Sequence, residues 1–201
     1  MASPLLIAAL CMGKRHTGAF LFCLAGMGMC LLSAYLNTFF AALYGADAFA
    51  ATVEIAPVVE EGMKLLPLLF YLLVFEPQAR QIGIAAVITA LSFATFENIC
   101  YLIQNGAAHF SFIFFRGIGT GAMHVICGAI VGGGLAYVWR RTWLKIAGTC
   151  GLLGAAITFH AIYNLLIAYG GTAQYIAYLL PVGILAAGKL IFLFFLKKFD
   201  F

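Results

Sequence analysis

Pro57-Val58-Val59-Glu60-Glu61-Gly62-Met63-Lys64, continued by Leu65-Leu66-Pro67-Leu68-Leu69-Phe70-Tyr71-Leu72-Leu73-Val74-Phe75, decides how the rest of the chain is read. Two carboxylates and an ammonium open a run otherwise apolar enough to span a bilayer, where each ionisable group costs about 2.5 to 3.5 kcal/mol on the mildest scale. Pro57 suits a helix start, where its missing N–H is no loss. Glu60 and Glu61 then fall in the first turns, at the positive end of the helix dipole. Lys64 follows Glu60 by four residues and Glu61 by three, so one face carries acid and counter-ion together. An interfacial ion pair that merely tops a helix would need one Glu and one Lys. Here a second carboxylate is left over, which argues for function.

Taken whole, the 201 residues are 65% hydrophobic and only 9% charged, a composition foreign to soluble globular proteins. The expected fold is all-α, a polytopic transmembrane helical bundle forming a single domain over 1–201. The net charge of +4 is scattered over short loops and forms no nucleic-acid patch. Cys11, Cys23, Cys30, Cys100, Cys127 and Cys150 lie mostly in apolar stretches without paired spacing, so they read as small buried hydrophobes rather than disulfides. No basic residue precedes the apolar start and no small-residue cleavage site follows it, so a removed signal peptide is not expected.

Six main spans follow from hydropathy, at about 17–44, 57–75, 82–104, 110–139, 145–169 and 174–196. Residues 4–12 are too short to cross about 30 Å as a helix and form an interfacial or re-entrant piece, with a seventh short span as the alternative. Residues 45–56 read as a connecting segment. Pro67 should free the carbonyl of Met63 and bend the second span. Lys and Arg collect on alternate loops (Lys14 and Arg15; Arg80; Arg140, Arg141 and Lys145; Lys197 and Lys198), and the intervening loops hold none. By the positive-inside rule both ends are cytoplasmic.

Placed at depth, the polar residues converge. Glu60 and Glu61 lie near the outer end of the second span, Glu97 in the outer half of the third, His124 near the middle of the fourth, and His160 with Asn164 in the outer half of the fifth. Helical spacing of four puts Phe93 on one face with Glu97, and His160 with Asn164. A lone His16 or His109 reads as an ordinary hydrogen bonder. Side chains meeting at one depth from four helices read as a shared polar chamber open to the outside. Arg116 either snorkels to the outer surface, the reading preferred, or turns inward toward Glu97.

Glu60-Glu61-x-x-Lys64, Phe93-x-x-x-Glu97-Asn98, His124 and His160-x-x-x-Asn164, in this order on successive spans, resemble the PrsW family of intramembrane proteases, relatives of the CAAX prenyl endopeptidases. The resemblance covers about 57–169. It implies a helical bundle in the bacterial cell membrane, embedded in lipid, that makes the outer-side cut in membrane-anchored anti-sigma factors or similar single-pass proteins. It also implies that Glu60 activates water and that Glu61 pairs with Lys64. His160 and Asn164 would then stabilise the oxyanion. The CAAX relatives place a His where this chain has Glu97, which leaves His124 as the candidate partner for the water. No metal or other cofactor is expected in this glutamic-type reading. The weaker alternative is Zn²⁺ held by His124, His160 and a Glu, weakened by the absence of HExxH and of a Cys/His cluster. From other classes, a proton or cation transporter and a non-catalytic scaffold packing through Gly128, Gly132, Gly133 and Gly134 are the rivals.

Overall fold

The computed structural model describes residues 14–105 and 110–198, with side chains described within 17–104 and 114–190. The expected membrane piece at residues 4–12, Cys11, and the side chains of His16 and His109 lie outside the described residues. Long helices follow in order: α1 (Lys14–Tyr44), α2 (Ala56–Phe75), α3 (Ala79–Asn105), α4 (Phe110–Val138), α5 (Lys145–Tyr169) and α6 (Gly171–Lys198). They match the six expected spans to within a few residues. Five of them, all but α2, are long and apolar enough to cross a bilayer. At 20 residues α2 has the length as well, but Glu60, Glu61 and Lys64 interrupt its hydropathy.

The expected connector at 45–56 is instead helical from Ala48 onward, which corrects the sequence reading. Asp47 caps its first turn by accepting the Ala50 N–H at 2.8 Å, and no Gly or Pro interrupts the chain until Pro57. Ala51–Ile55 is wound as π-helix and runs straight into α2, with the Ala56 N–H donating to the Ala51 carbonyl five residues back. The next bond in that register would join the Pro57 nitrogen to the Thr52 carbonyl. Pro57 has no N–H, so that carbonyl loses its donor. Pro67 sits inside α2 without ending it.

The order of packing sets where the site lies. α4 is flanked by α3, α5 and α6, while α1 lies against α2 and α3, and α2 also meets α5. α3 and α4 pack closely because small residues face each other: a Cβ on Gly128 would sit 2.7 Å from Ala90 Cβ, and one on Gly132 2.5 Å from Ala86 Cβ. Gly134 opposes Leu152 of α5, whereas a Cβ on Gly133 would meet nothing. Without a hydrophobic drive between helices in lipid, such close backbone approach is what holds spans together. Leu31, Tyr35, Phe70, Leu73 and Ile103 point outward, while Glu60, Glu61, Lys64, Thr89, His124 and His160 are buried. Polar groups inside and apolar groups outside is the arrangement a bilayer requires. Among the described residues Cys23, Cys30, Cys100, Cys127 and Cys150 are free thiols, but only Cys30 and Cys127 are buried as expected, and Cys150 is exposed.

Candidate active site

Four helices deliver one continuous polar network. On α2, Lys64 Nζ donates to Glu61 Oε1 at 2.6 Å and reaches His124 Nδ1 on α4 at 2.8 Å. His160 Nδ1 on α5 lies 2.8 Å from the same Glu61 oxygen. On the far side of the α4 imidazole, His124 Nε2 is 2.9 Å from Glu97 Oε2 of α3, and Glu97 Oε1 accepts from Arg116 at 3.2 Å. Phe93 forms the floor: its ring lies 5.4 Å from the His124 ring and 4.9 Å from the Lys64 ammonium.

Donor and acceptor rules then settle the imidazole tautomers. An ammonium only donates, so His124 accepts at Nδ1, carries its proton on Nε2, and gives it to Glu97. A carboxylate only accepts, so His160 carries its proton on Nδ1 and donates to Glu61. His160 Nε2 stands 3.9 Å from Glu60 Oε2 and, in the neutral imidazole with its proton on Nδ1, carries the lone pair. Glu60 Oε2 is itself buried without a hydrogen-bond partner, while Oε1 accepts from Asn37 Nδ2 of α1 at 3.3 Å. The two adjacent glutamates thus differ in surroundings: Glu61 is locked by a cation and an imidazole, and Glu60 keeps one oxygen open.

Beside Glu60 lies a cleft of about 750 Å³ whose walls include Asn37, Glu60, Glu97, Arg116, His160 and Asn164. The cleft lies at the end of the bundle where the Lys- and Arg-free connections run, next to the segment at 46–52. Thr120 and Tyr163, joined through their hydroxyls at 2.9 Å, complete its inner wall.

Of the residues expected from sequence, Glu60, Glu61, Lys64, Glu97, His124 and His160 come together, with Phe93 beneath them. Several expectations change, among them that of His124 as the partner for the water, since both of its nitrogens are engaged by Lys64 and Glu97. Arg116 does not snorkel away but turns inward to Glu97, stacked on the Tyr101 ring at 3.5 Å, because a part-buried carboxylate stands within its reach. Asn164 borders the cleft, yet its amide donates at 3.0 Å to the Thr52 carbonyl, the one that Pro57 leaves open. As a neutral imidazole donating from Nδ1 to Glu61, His160 presents an acceptor toward Glu60 rather than a donor. Asn98 stays outside the network, its Oδ1 buried and unpartnered. Asn37 was missed as a site residue. The signal was present, since Ser33 and Asn37 are the marked polar residues of an apolar helix.

Glu60, His124 and His160 offer ligand atoms within 4.8 Å of one another. One carboxylate with two imidazoles is a donor set that catalytic zinc sites use. Two of the three fit at once, since Glu60 Oε2 is an orphaned buried acceptor and His160 has its second nitrogen oriented by a carboxylate, as metal-ligating imidazoles do. The third fits on exchange: His124 joins only by releasing Glu97 or Lys64.

A family model described as PrsW family intramembrane metalloprotease matches residues 14–188. No curated protein and no solved structure matches the chain.

Proposed function

The chain belongs to the PrsW family and is a multi-pass intramembrane protease acting on membrane proteins, and from that premise we propose that it hydrolyses a peptide bond in the cleft beside Glu60. The observation that carries the proposal is Glu60 Oε2, a buried acceptor without a partner on a residue that lines the cleft, 3.9 Å from His160 Nε2. Between two such acceptors a water molecule is held by its hydrogens, with its oxygen lone pairs turned toward a carbonyl carbon. Glu60 takes one proton as the water oxygen attacks. The same proton then passes to the departing amide nitrogen, so that OH joins the acyl carbon and H joins the amine.

The remaining residues hold this pair in place. Glu61, between Lys64 and His160, fixes the imidazole so that Nε2 faces Glu60. Oxyanion stabilisation falls to the Asn164 N–H not used by Thr52 and to the Arg116 guanidinium on the cleft wall. His124, engaged on both nitrogens, ties Lys64 to Glu97 and keeps the floor rigid.

The family's description and the donor set favour a second reading of the same site. Glu60, His124 and His160 are the residues that would hold a divalent ion such as zinc, whose contribution there is Lewis acidity toward water and the carbonyl oxygen. Elemental analysis of purified protein, with cleavage followed through chelation and metal restoration, decides between the two. Chelator-resistant cleavage by metal-free protein supports Glu60 alone, and loss restored by zinc supports the metal.

The substrate class is a single-pass protein of the anti-sigma type, cut toward the outer face of a bacterial membrane. The Lys- and Arg-free connections at the cleft end support that side as external, with both chain ends cytoplasmic. Reconstitution with candidate single-pass proteins tests the proposal. Glu60→Gln should insert and fold normally but leave the substrate intact; cleavage at the native rate by that variant would falsify the assignment.

A further inference from the structure

The inward face of α1 carries Gly26, Cys30, Ser33 and Asn37, at helical intervals of four, three and four residues. The first three are small, and Cys30 and Ser33 are buried. At Gly26 even a Cβ would collide with the Ser92 hydroxyl and the Thr89 carbonyl of α3. α1 therefore lies closer to α3 than larger side chains would permit, and this seating sets how far Asn37, three turns along, reaches over α2.

What it reaches is Glu60. Asn37 Nδ2 donates to Glu60 Oε1 at 3.3 Å, on the wall of the same cleft. The bond occupies one carboxylate oxygen and leaves the other facing His160 Nε2 at 3.9 Å. Asn37 Oδ1 and Glu60 Oε2 are both buried and both lack a donor. Buried acceptors without partners mark a place where an outside donor is accommodated, and both of these border the cleft in which the reaction is placed.

We infer that Asn37 is the positioning residue for Glu60: it pins Oε1 so that Oε2 is turned toward His160, and it makes α1 part of the active site rather than a lipid-facing addition. The inference rests on the hydrolytic reading of that cleft. It applies whether Glu60 holds water directly or as a metal ligand, since in either case the carboxylate must be held in one orientation.

The test compares Asn37→Ala, Asn37→Gln and Asn37→Asp with the native protein in proteoliposomes, using a single-pass substrate and measuring kcat, KM and thermal stability. Loss of a hydrogen bond to a charged group should lower kcat by about ten- to hundredfold, with KM unchanged and the protein still folded at the assay temperature. Asn37→Gln, which keeps the amide, should recover part of the loss. Asn37→Asp places a carboxylate against Glu60 and should be at least as impaired as Asn37→Ala. If Asn37→Ala fails to fold, the near-isosteric Asn37→Asp carries the same comparison. Native kcat in the folded variants, with Glu60→Gln inactive, overturns the inference and leaves the site standing. Native activity in Glu60→Gln overturns the site itself. A rise in KM with kcat unchanged also counts against positioning, because it would make Asn37 a contact for substrate.

Discussion

Lys64 is the residue on which the polar network turns. Its ammonium lies between Glu61 at 2.6 Å and His124 Nδ1 at 2.8 Å, over the Phe93 ring, and it is buried. Removing one partner of a buried ion pair is far costlier than removing both, because a lone charge is left without solvent. Lys64→Met should therefore destabilise the protein by about 3 to 5 kcal/mol and stop cleavage. The double variant Glu61→Gln/Lys64→Met should recover most of the stability but not the activity, since His160 would lose the carboxylate that orients it. Thermal unfolding in detergent and a cleavage assay separate the two effects. Equal stability of the single and double variants would show that the pair is not coupled.

Among the elements, the segment from Asp47 into α2 offers the sharpest test. The Thr52 carbonyl takes its hydrogen bond from Asn164 of α5 because Pro57 cannot supply one. Asn164→Ala should remove that hydrogen bond, at a cost of about 0.5 to 1.5 kcal/mol, and should speed hydrogen exchange across residues 48–56. Adding Pro57→Ala restores a backbone donor and should reverse the exchange effect. Cleavage recovering in parallel makes Asn164 chiefly a brace for the helix bearing Glu60; exchange recovering while cleavage stays low keeps it as an oxyanion donor. The α3 and α4 interface gives a second test. Gly132→Val drives a side chain into Ala86 and should separate His124 from Glu97, lowering both melting temperature and activity. Gly133→Val meets open space and should lower neither property, since valine is the better helix former of the two.

For the molecule as a whole, the expectation is a cleft reached from one side of the membrane. Single cysteines placed at Asp47 and Gly170, beside the Lys- and Arg-free end, should react with an impermeant thiol reagent applied outside cells, and one at Arg140 should not. The native cysteines need replacement first, because exposed Cys150 would add background. The reverse labelling pattern would turn the cleft toward the cytoplasm and remove the outer-side cut from the proposal.

The sequence by itself determined the spans and most of the site. Hydropathy over twenty residues is a local property, and an ionisable group inside such a run stands out without reference to its neighbours, so Glu60, Glu61, Lys64, Glu97, His124 and His160 were legible from their positions alone. Only the tertiary structure decided whom each of them meets. Asn37 reaches Glu60 because small residues seat α1 against α3, Arg116 turns to Glu97 because α3 presents that carboxylate to it, and Asn164 bonds Thr52 because a proline far away in sequence opened that carbonyl. Each of these pairings depends on the rotation and depth of one helix against another, which spacing along a single helix does not encode.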